Sequence, residues 1–387
     1  MRLPFAFVSA LAFATSCSKS DVESKSRHEE QICSVSTNRV SGQIIPGQYI
    51  VVFKDEALAR AVNPKTVEVL SENVTARTGI EEADIEGVFT GKTGGFIAQL
   101  SNEEASALQK DPSVQLVEPD RVIALGHCFE VAEPRTVTWN IDKVGYGDGR
   151  GKTAWVIDSG IDFEHSDLNV DKTRSKSFIT NVTSADDENG HGTHVAGIIG
   201  ALNNSFGVLG VASGANLVSL RVLDKEGKGT LGSVIQALSY INQNAKAGDV
   251  VNLSLGEDIT SEALDQQVKY TASLGMLIAI AAGNDSKPAI QFSPGRANGA
   301  NIYTVSAIDS LNNFASFSNY GNDVIDYAAP GVRILSTYTD GRYARLSGTS
   351  MAAPHVAGLL LLRGRNISSS GTALNDPDGV PDPIARK

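Results

Sequence analysis

The chain has 387 residues, of which 41% are hydrophobic and 20% charged, with 37 glycines and a formal net charge of -11. That length holds two or three domains with a sizeable core. The acidic balance argues against a phosphate-backbone partner, and the many glycines suit a backbone that turns tightly and approaches a substrate closely.

At the N-terminus, Arg2 precedes an apolar run from Leu3 to Phe13 and then the small residues Ala14-Thr15-Ser16. Residues 1–16 read as a secretory signal peptide, too short to span a bilayer, with cleavage after Ala14 or Ser16. A second-ranked reading makes Cys17 a lipid-modified first residue, although Ala14 stands where a larger aliphatic residue is usual. No other segment is apolar for long enough to cross a membrane. Residues 17–41 are polar and charged and read as a flexible leader.

A compact unit is predicted over residues 42–125. Tyr49–Phe53 is strand-like, Ala57–Thr78 is helical with a break at Pro64, and Ile85–Phe89 and Gly95–Leu100 form a strand pair around the turn at Gly91–Gly95. Ser101 with Glu104 makes a capping box that opens a helix ending near Lys110. Val114–Val117 and Arg121–Ala124 are extended, so the order is β-α-β-β-α-β, the split βαβ unit. Residues 126–138, aperiodic and interrupted by Pro134, read as a linker. After the signal, and apart from Cys17, Cys33 and Cys128 remain at the two ends of this unit. In an oxidising compartment they either pair or stay unrelated thiols, and sequence alone does not decide.

From Trp139 to residue 366, β-branched apolar runs alternate with helical stretches: Thr153–Ile157, His191–Gly200, Leu217–Val222, Leu231–Asn244, Val250–Leu255, Glu262–Leu274, Leu277–Ala282, Ile302–Ala307 and Thr349–Leu362. The expectation is an α/β domain with a parallel sheet covered by helices on both faces, and sites in such sheets form at the carboxyl ends of the strands. Residues 367–387 read as a polar tail. Within it Asp376, Asp378 and Asp382 surround Gly379, and the several prolines make a solvated turn the expectation rather than a cation loop.

Four positions carry chemistry. Asp158 ends the buried run Ala154–Asp158, where by itself it reads as a turn residue. His191 opens a helix of small residues. His191 and His194 have metal-ligand spacing, but neither an intervening glutamate nor a third ligand accompanies them. Asn284 ends the run Leu277–Gly283, alone a turn residue or the acceptor of the sequon Asn284-Asp285-Ser286. Ser350 lies among small residues at a predicted helix start, where backbone N–H groups and the positive helix end favour developing negative charge. Together they bring an acid, a base, an amide donor and a nucleophile to strand ends or helix starts, in the chain order Asp, His, Ser.

The motifs Val156-Ile-Asp158-Ser-Gly-Ile161, His191-Gly-Thr-His-Val-Ala-Gly197, Val251-Asn-Leu-Ser-Leu-Gly256, Ala281-Ala-Gly-Asn284 and Gly348-Thr-Ser-Met-Ala-Ala-Pro-His355 resemble those of the subtilisin-like serine peptidases (subtilases), closest to the proteinase K branch. Residues 49–124 resemble the family's inhibitory propeptide. The resemblance implies a subtilisin-like fold, a triad of Asp158, His191 and Ser350, and an oxyanion site made by the Asn284 side chain and the Ser350 amide. It implies peptide binding along Ser254, Leu255 and Gly256, with Gly227 and Gly229 opposite. Ala281 and Gly283 would line a first-residue pocket of apolar or aromatic preference, bordered by Phe292–Asn298. No cofactor is expected for catalysis. A structural calcium ion is expected at Asp326, with backbone carbonyls near Ala300 and Ile302, whereas a lone aspartate read by itself is a turn or cap residue.

The sequence therefore predicts a secreted, self-processing endopeptidase, monomeric, acting on proteins or peptides and inhibited by its own propeptide. The alternative is a catalytically silent binding or inhibitor protein on the same fold, which needs none of the four site residues.

Overall fold

The computed structural model describes residues 42–58, 64–90, 94–124, 128–131, 137–256 and 259–387. The expected signal peptide, the leader, Cys17 and Cys33 lie outside these residues, as do parts of the 126–138 segment and of the Gly91–Gly95 turn.

The first unit runs β1 (Ile44–Phe53), α1 (Asp55–Leu58), α2 (Pro64–Thr78), β2 (Ile85–Phe89), β3 (Gly95–Gln99), α3 (Asn102–Leu108) and β4 (Val114–Ala124). Ser101 caps α3 with the reciprocal Glu104 bond of a capping box. The two extended runs expected at 114–117 and 121–124 are one strand. Pro119 is tolerated where β4 has only β1 beside it.

Both faces of this small sheet are buried. Val51, Phe53, Phe96 and Ala98 pack with Val67, Val74 and Leu108 of the unit's own helices. The alternate residues Ile50, Val52, Phe89, Ile97 and Ile123 join the core of the larger domain. Period-two alternation thus sends one set of side chains to each partner.

The larger domain continues with β5 (Cys128–Val131), α4 (Trp139–Val144), β6 (Gly147–Asp148), β7 (Thr153–Asp158), β8 (Lys176–Ser177), α5 (His191–Gly200), β9 (Ala212–Ser213), β10 (Asn216–Arg221), β11 (Lys228–Thr230) and α6 (Leu231–Asn244). It closes with β12 (Val250–Leu253), α7 (Glu262–Ser273), β13 (Leu277–Ala281), β14 (Ile302–Ile308), β15 (Ile325–Pro330), β16 (Ile334–Tyr338), β17 (Arg342–Ser347), α8 (Thr349–Arg363), β18 (Ser368–Thr372) and β19 (Pro383–Arg386). The main sheet has the order β18-β19-β15-β14-β13-β12-β7-β10-β8, parallel from β19 to β8. Ala154 and Val156 face the α5 and α8 side, and Trp155 and Ile157 face α6 and α7. That two-sided burial is why these strands are continuously apolar.

Two expectations are corrected. The 126–138 segment is not simply a linker, because β5 pairs antiparallel with β17 from Val131–Ala344 to Cys128–Ser347. The polar C-terminus is not a tail: β18 and β19 form a hairpin that adds to β15. Ile384 fills a small cluster with Ile308, Phe314, Ala328 and Ala373. Asp382 is 1% exposed and accepts from Ser306 Oγ at 2.5 Å, so it is not part of a solvated turn.

The first unit docks through polar anchors as well. Thr90 donates its amide to Ser239 Oγ at 2.6 Å, and its hydroxyl accepts from Gln243 Nε2 at 2.7 Å, between α6 and α7. From β4, Asp120 Oδ1 accepts from the Gly232 amide at 3.3 Å in the first turn of α6, and Glu118 accepts from Ser261 Oγ at the start of α7.

Candidate active site

Asp158 ends β7, the strand at which the sheet order reverses, with β10 on one side and β12 on the other. A crevice opens outside the carboxyl ends of strands at such a switch point. Its carboxylate is fully buried, and both oxygens face His191 Nδ1, at 2.8 and 3.0 Å. A carboxylate only accepts, so Nδ1 carries the proton and Nε2 is the basic nitrogen of the neutral ring.

His191 is the first residue of α5, and that helix meets β7 at Gly192. A Cβ there would stand 2.1 Å from Gly160 O, so only glycine permits the approach. Asp187 then fixes the helix start. It accepts from the amides of Asn189 (2.9 Å), Gly190 (3.0 Å) and Thr193 (2.9 Å) and from the hydroxyls of Ser159 (2.9 Å) and Thr193 (2.6 Å). Burial pushes its carboxyl pKa up, while those donors pull it down. Ser159 Oγ also accepts from the Gly192 amide at 3.0 Å, tying the residue after Asp158 to the residue after His191. Asp187 escaped the sequence reading, although an acidic residue just before a helix start is a recognisable signal.

His194, one turn on, presents Nε2 to the carbonyls of Ile334 at 2.9 Å and Ala344 at 3.1 Å. Burial lowers its pKa to about 3, so the ring is neutral and clamps β16 to β17.

Thr349 donates its amide to Asn284 Oδ1 at 2.8 Å, and its hydroxyl lies 3.1 Å from the same oxygen. That hydroxyl accepts from the Gly283 amide at 3.1 Å. With its oxygen held, the Asn284 amide nitrogen turns away from Thr349. Asn319 supports the same loop, accepting from the Asp285 amide at 2.9 Å and donating to Ala282 O at 3.0 Å. Ser350, 7% exposed, sits in the first turn of α8, whose N–H groups have no acceptor within the helix. A Cβ built on Gly348 would lie 3.6 Å from Asn284 Oδ1, 3.7 Å from its Nδ2 and 3.7 Å from Ser350 N, so the Asn284 side-chain amide and the Ser350 amide border the same space.

Gly227 has φ +74°, and a Cβ on Gly229 would stand 2.1 Å from Val222 O. Here the chain's own β4 lies antiparallel on β11, pairing Ala124 with Lys228, Ile123 with Gly229 and Val122 with Thr230. Ser254 and Leu255 are buried and Gly256 is half-buried beyond the end of β12. Ala281 and Gly283 lie beside the 292–298 segment, where a Cβ on Gly295 would be 3.3 Å from Ala281 O.

Asp326 is apart from this site. Its Oδ2 accepts from the Thr304 amide at 2.9 Å, and burial raises its pKa to about 6. A cation would answer such a carboxylate, and a carboxylate with backbone carbonyls is an oxygen-only donor set of the kind calcium takes. Against it, Lys269 and Arg365 line the pocket that holds Ala300 and Ile302, and no group of three or more His, Cys, Asp or Glu side chains converges on a metal position among the described residues. No helix among the described residues is long and apolar enough to cross a membrane.

Residues 149–368 match the model of the subtilase family, and residues 48–125 match that of peptidase inhibitor I9. The thermostable alkaline protease of Halalkalibacterium halodurans is 39% identical over 331 residues, covering 81% of this chain and 87% of that protein. M-protease of Shouchella clausii is 38% identical over 339 residues, covering 85% and 84%. Alkaline serine exoprotease A of Vibrio alginolyticus is 36% identical over 331 residues, 82% of this chain but 60% of that relative's length. Among solved structures, that of a cold adapted subtilisin-like serine proteinase aligns with a TM-score of 0.58 and 33% identity, over 65% of this chain and 98% of its own.

Proposed function

The chain belongs to the subtilase family and is a subtilisin-like serine protease with an inhibitor-type propeptide; from that premise we propose a secreted endopeptidase, made as a precursor that cuts itself between Gly126 and Val137. Ser350 Oγ attacks the scissile carbonyl while His191 Nε2 takes its proton. Asp158 keeps the imidazole tautomer and stabilises the imidazolium. The carbonyl oxygen becomes an oxyanion between Asn284 Nδ2 and the Ser350 amide. The imidazolium then protonates the leaving amine, and water repeats the sequence on the acyl-enzyme.

The observation that carries this reading is the buried Asp158–His191 pair at the sheet's switch point; the Asn284 side-chain amide and the Ser350 amide, which border the same space beside Gly348, support it. An extended strand of the chain already lies on Lys228–Thr230, which supports recognition of peptides as an added strand, with Ser254–Gly256 as the facing edge. Ala281 and Gly283 leave no fixed charge at the first-residue pocket, which favours apolar or aromatic side chains. Calcium at Asp326 belongs to the same reading.

Digestion of a denatured protein, followed by identification of the new termini, tests it. Internal cuts after apolar or aromatic residues are expected. Release of terminal residues alone would overturn the endopeptidase reading, and cuts confined to basic residues would overturn the pocket assignment.

A further inference from the structure

Ser350 is the second residue of α8, and in a regular helix its carbonyl would accept from the amide four residues on. That residue is Pro354, which has no N–H and whose ring crowds the same carbonyl. The carbonyl is met instead by Ser254 Oγ at 2.7 Å. Ser254 Oγ accepts in turn from Asn252 Nδ2 at 2.8 Å. Both Ser254 and Asn252 are fully buried. Asn252 sits in β12 between Val156 of β7 and Ala279 of β13, in the middle of the sheet.

We propose that Ser254 is a positioning residue for the nucleophile, supplying the donor that Pro354 withholds and so tying the backbone of Ser350 to the strand end that faces the substrate. A hydroxyl has one hydrogen, and here it is committed to Ser350, so the Ser254 side chain does not donate to substrate. Without that donor a buried carbonyl is left unmet and the first turn of α8 shifts to find water or another partner. The Ser350 hydroxyl and amide shift with it, away from Asn284 Nδ2. Such a displacement weakens the transition state more than the bound substrate, so it acts on kcat rather than KM. The inference rests on Ser350 being the nucleophile.

Pro354 makes it testable, because alanine there returns a backbone N–H four residues after Ser350. Ser254→Ala, Pro354→Ala and the double variant are assayed on a peptide substrate, with rates expressed per site titrated by a fluorophosphonate. Ser254→Ala is expected to lower kcat about tenfold with KM within about twofold, the size of one lost hydrogen bond. The double variant should recover most of that loss. Unchanged kcat in Ser254→Ala, or losses that multiply in the double variant, would overturn the proposal. Should Ser254→Ala not fold, the double variant decides: folded, labelled protein supports the missing-donor account, and failure to fold contradicts it. Wild type that takes no label at Ser350 would instead defeat the nucleophile assignment itself.

Discussion

Thr349 holds the Asn284 side chain by its oxygen, through an amide donor at 2.8 Å and a hydroxyl at 3.1 Å. In the proposed mechanism, the residue before the nucleophile therefore orients the side chain that faces the developing oxyanion. Asn284→Ala is expected to lower kcat by about 100- to 1,000-fold with little change in KM, the loss of one oxyanion donor. Thr349→Val, which keeps the amide and removes the hydroxyl, should cost about tenfold in kcat, and Thr349→Ser should restore it. Equal kinetics for the valine and serine variants would remove the hydroxyl from this role.

Asp120 makes docking of the first unit pH-dependent. Burial against α6 raises its pKa from 3.8 to about 6, and its Oδ2 has no hydrogen-bond partner among the described residues. The docked state thus holds its proton to higher pH than the free carboxyl does. Its contribution to docking is complete below pH 3.8 and disappears as pH rises through about 6. In a Ser350→Ala precursor, Asp120→Asn should melt near the parent temperature at acid pH and above it at pH 7.5. A difference that does not grow with pH would exclude this linkage.

The C-terminal hairpin stabilises without touching the site. Ile384 is 1% exposed, and Ile384→Ala is expected to cost about 2–5 kcal/mol, the usual range for a large aliphatic residue cut back in a core. Thermal melting should fall while kcat per titrated site stays constant. A fall in kcat at temperatures where the variant is folded would contradict this separation.

Calcium at Asp326 predicts a melting temperature that drops on chelation and returns with added calcium. Asp326→Asn should lower the starting value and abolish the response. A full response in Asp326→Asn would place any ion elsewhere.

The elements near the chemistry were legible because their sequence signals are local. Asp158, His191 and Asn284 end or begin buried apolar runs, and the alternation of strands and helices from Trp139 gave the parallel sheet. The strand pair β16–β17 was missed despite its signal, the turn residues Asp340 and Gly341 with φ +61° and +67° between alternating runs. The C-terminal hairpin was hidden because β18 is polar and β19 is short: Ser368–Thr372 is exposed along its whole length, and a single residue of Pro383–Arg386, Ile384, registers on β15. Thr349, Asn319 and Ser254 act through contacts with residues distant in the chain, which no local pattern encodes.

In the proposed mechanism, Ser350 is an activated nucleophile whose first substrate is its own chain. The full chain and its Ser350→Ala variant, treated with a fluorophosphonate and compared by intact mass, test it most directly. Wild type is expected to lose the propeptide and carry the label at Ser350, and the variant to do neither. Equal shortening of both proteins, or correctly folded mature wild type without label, would contradict the account.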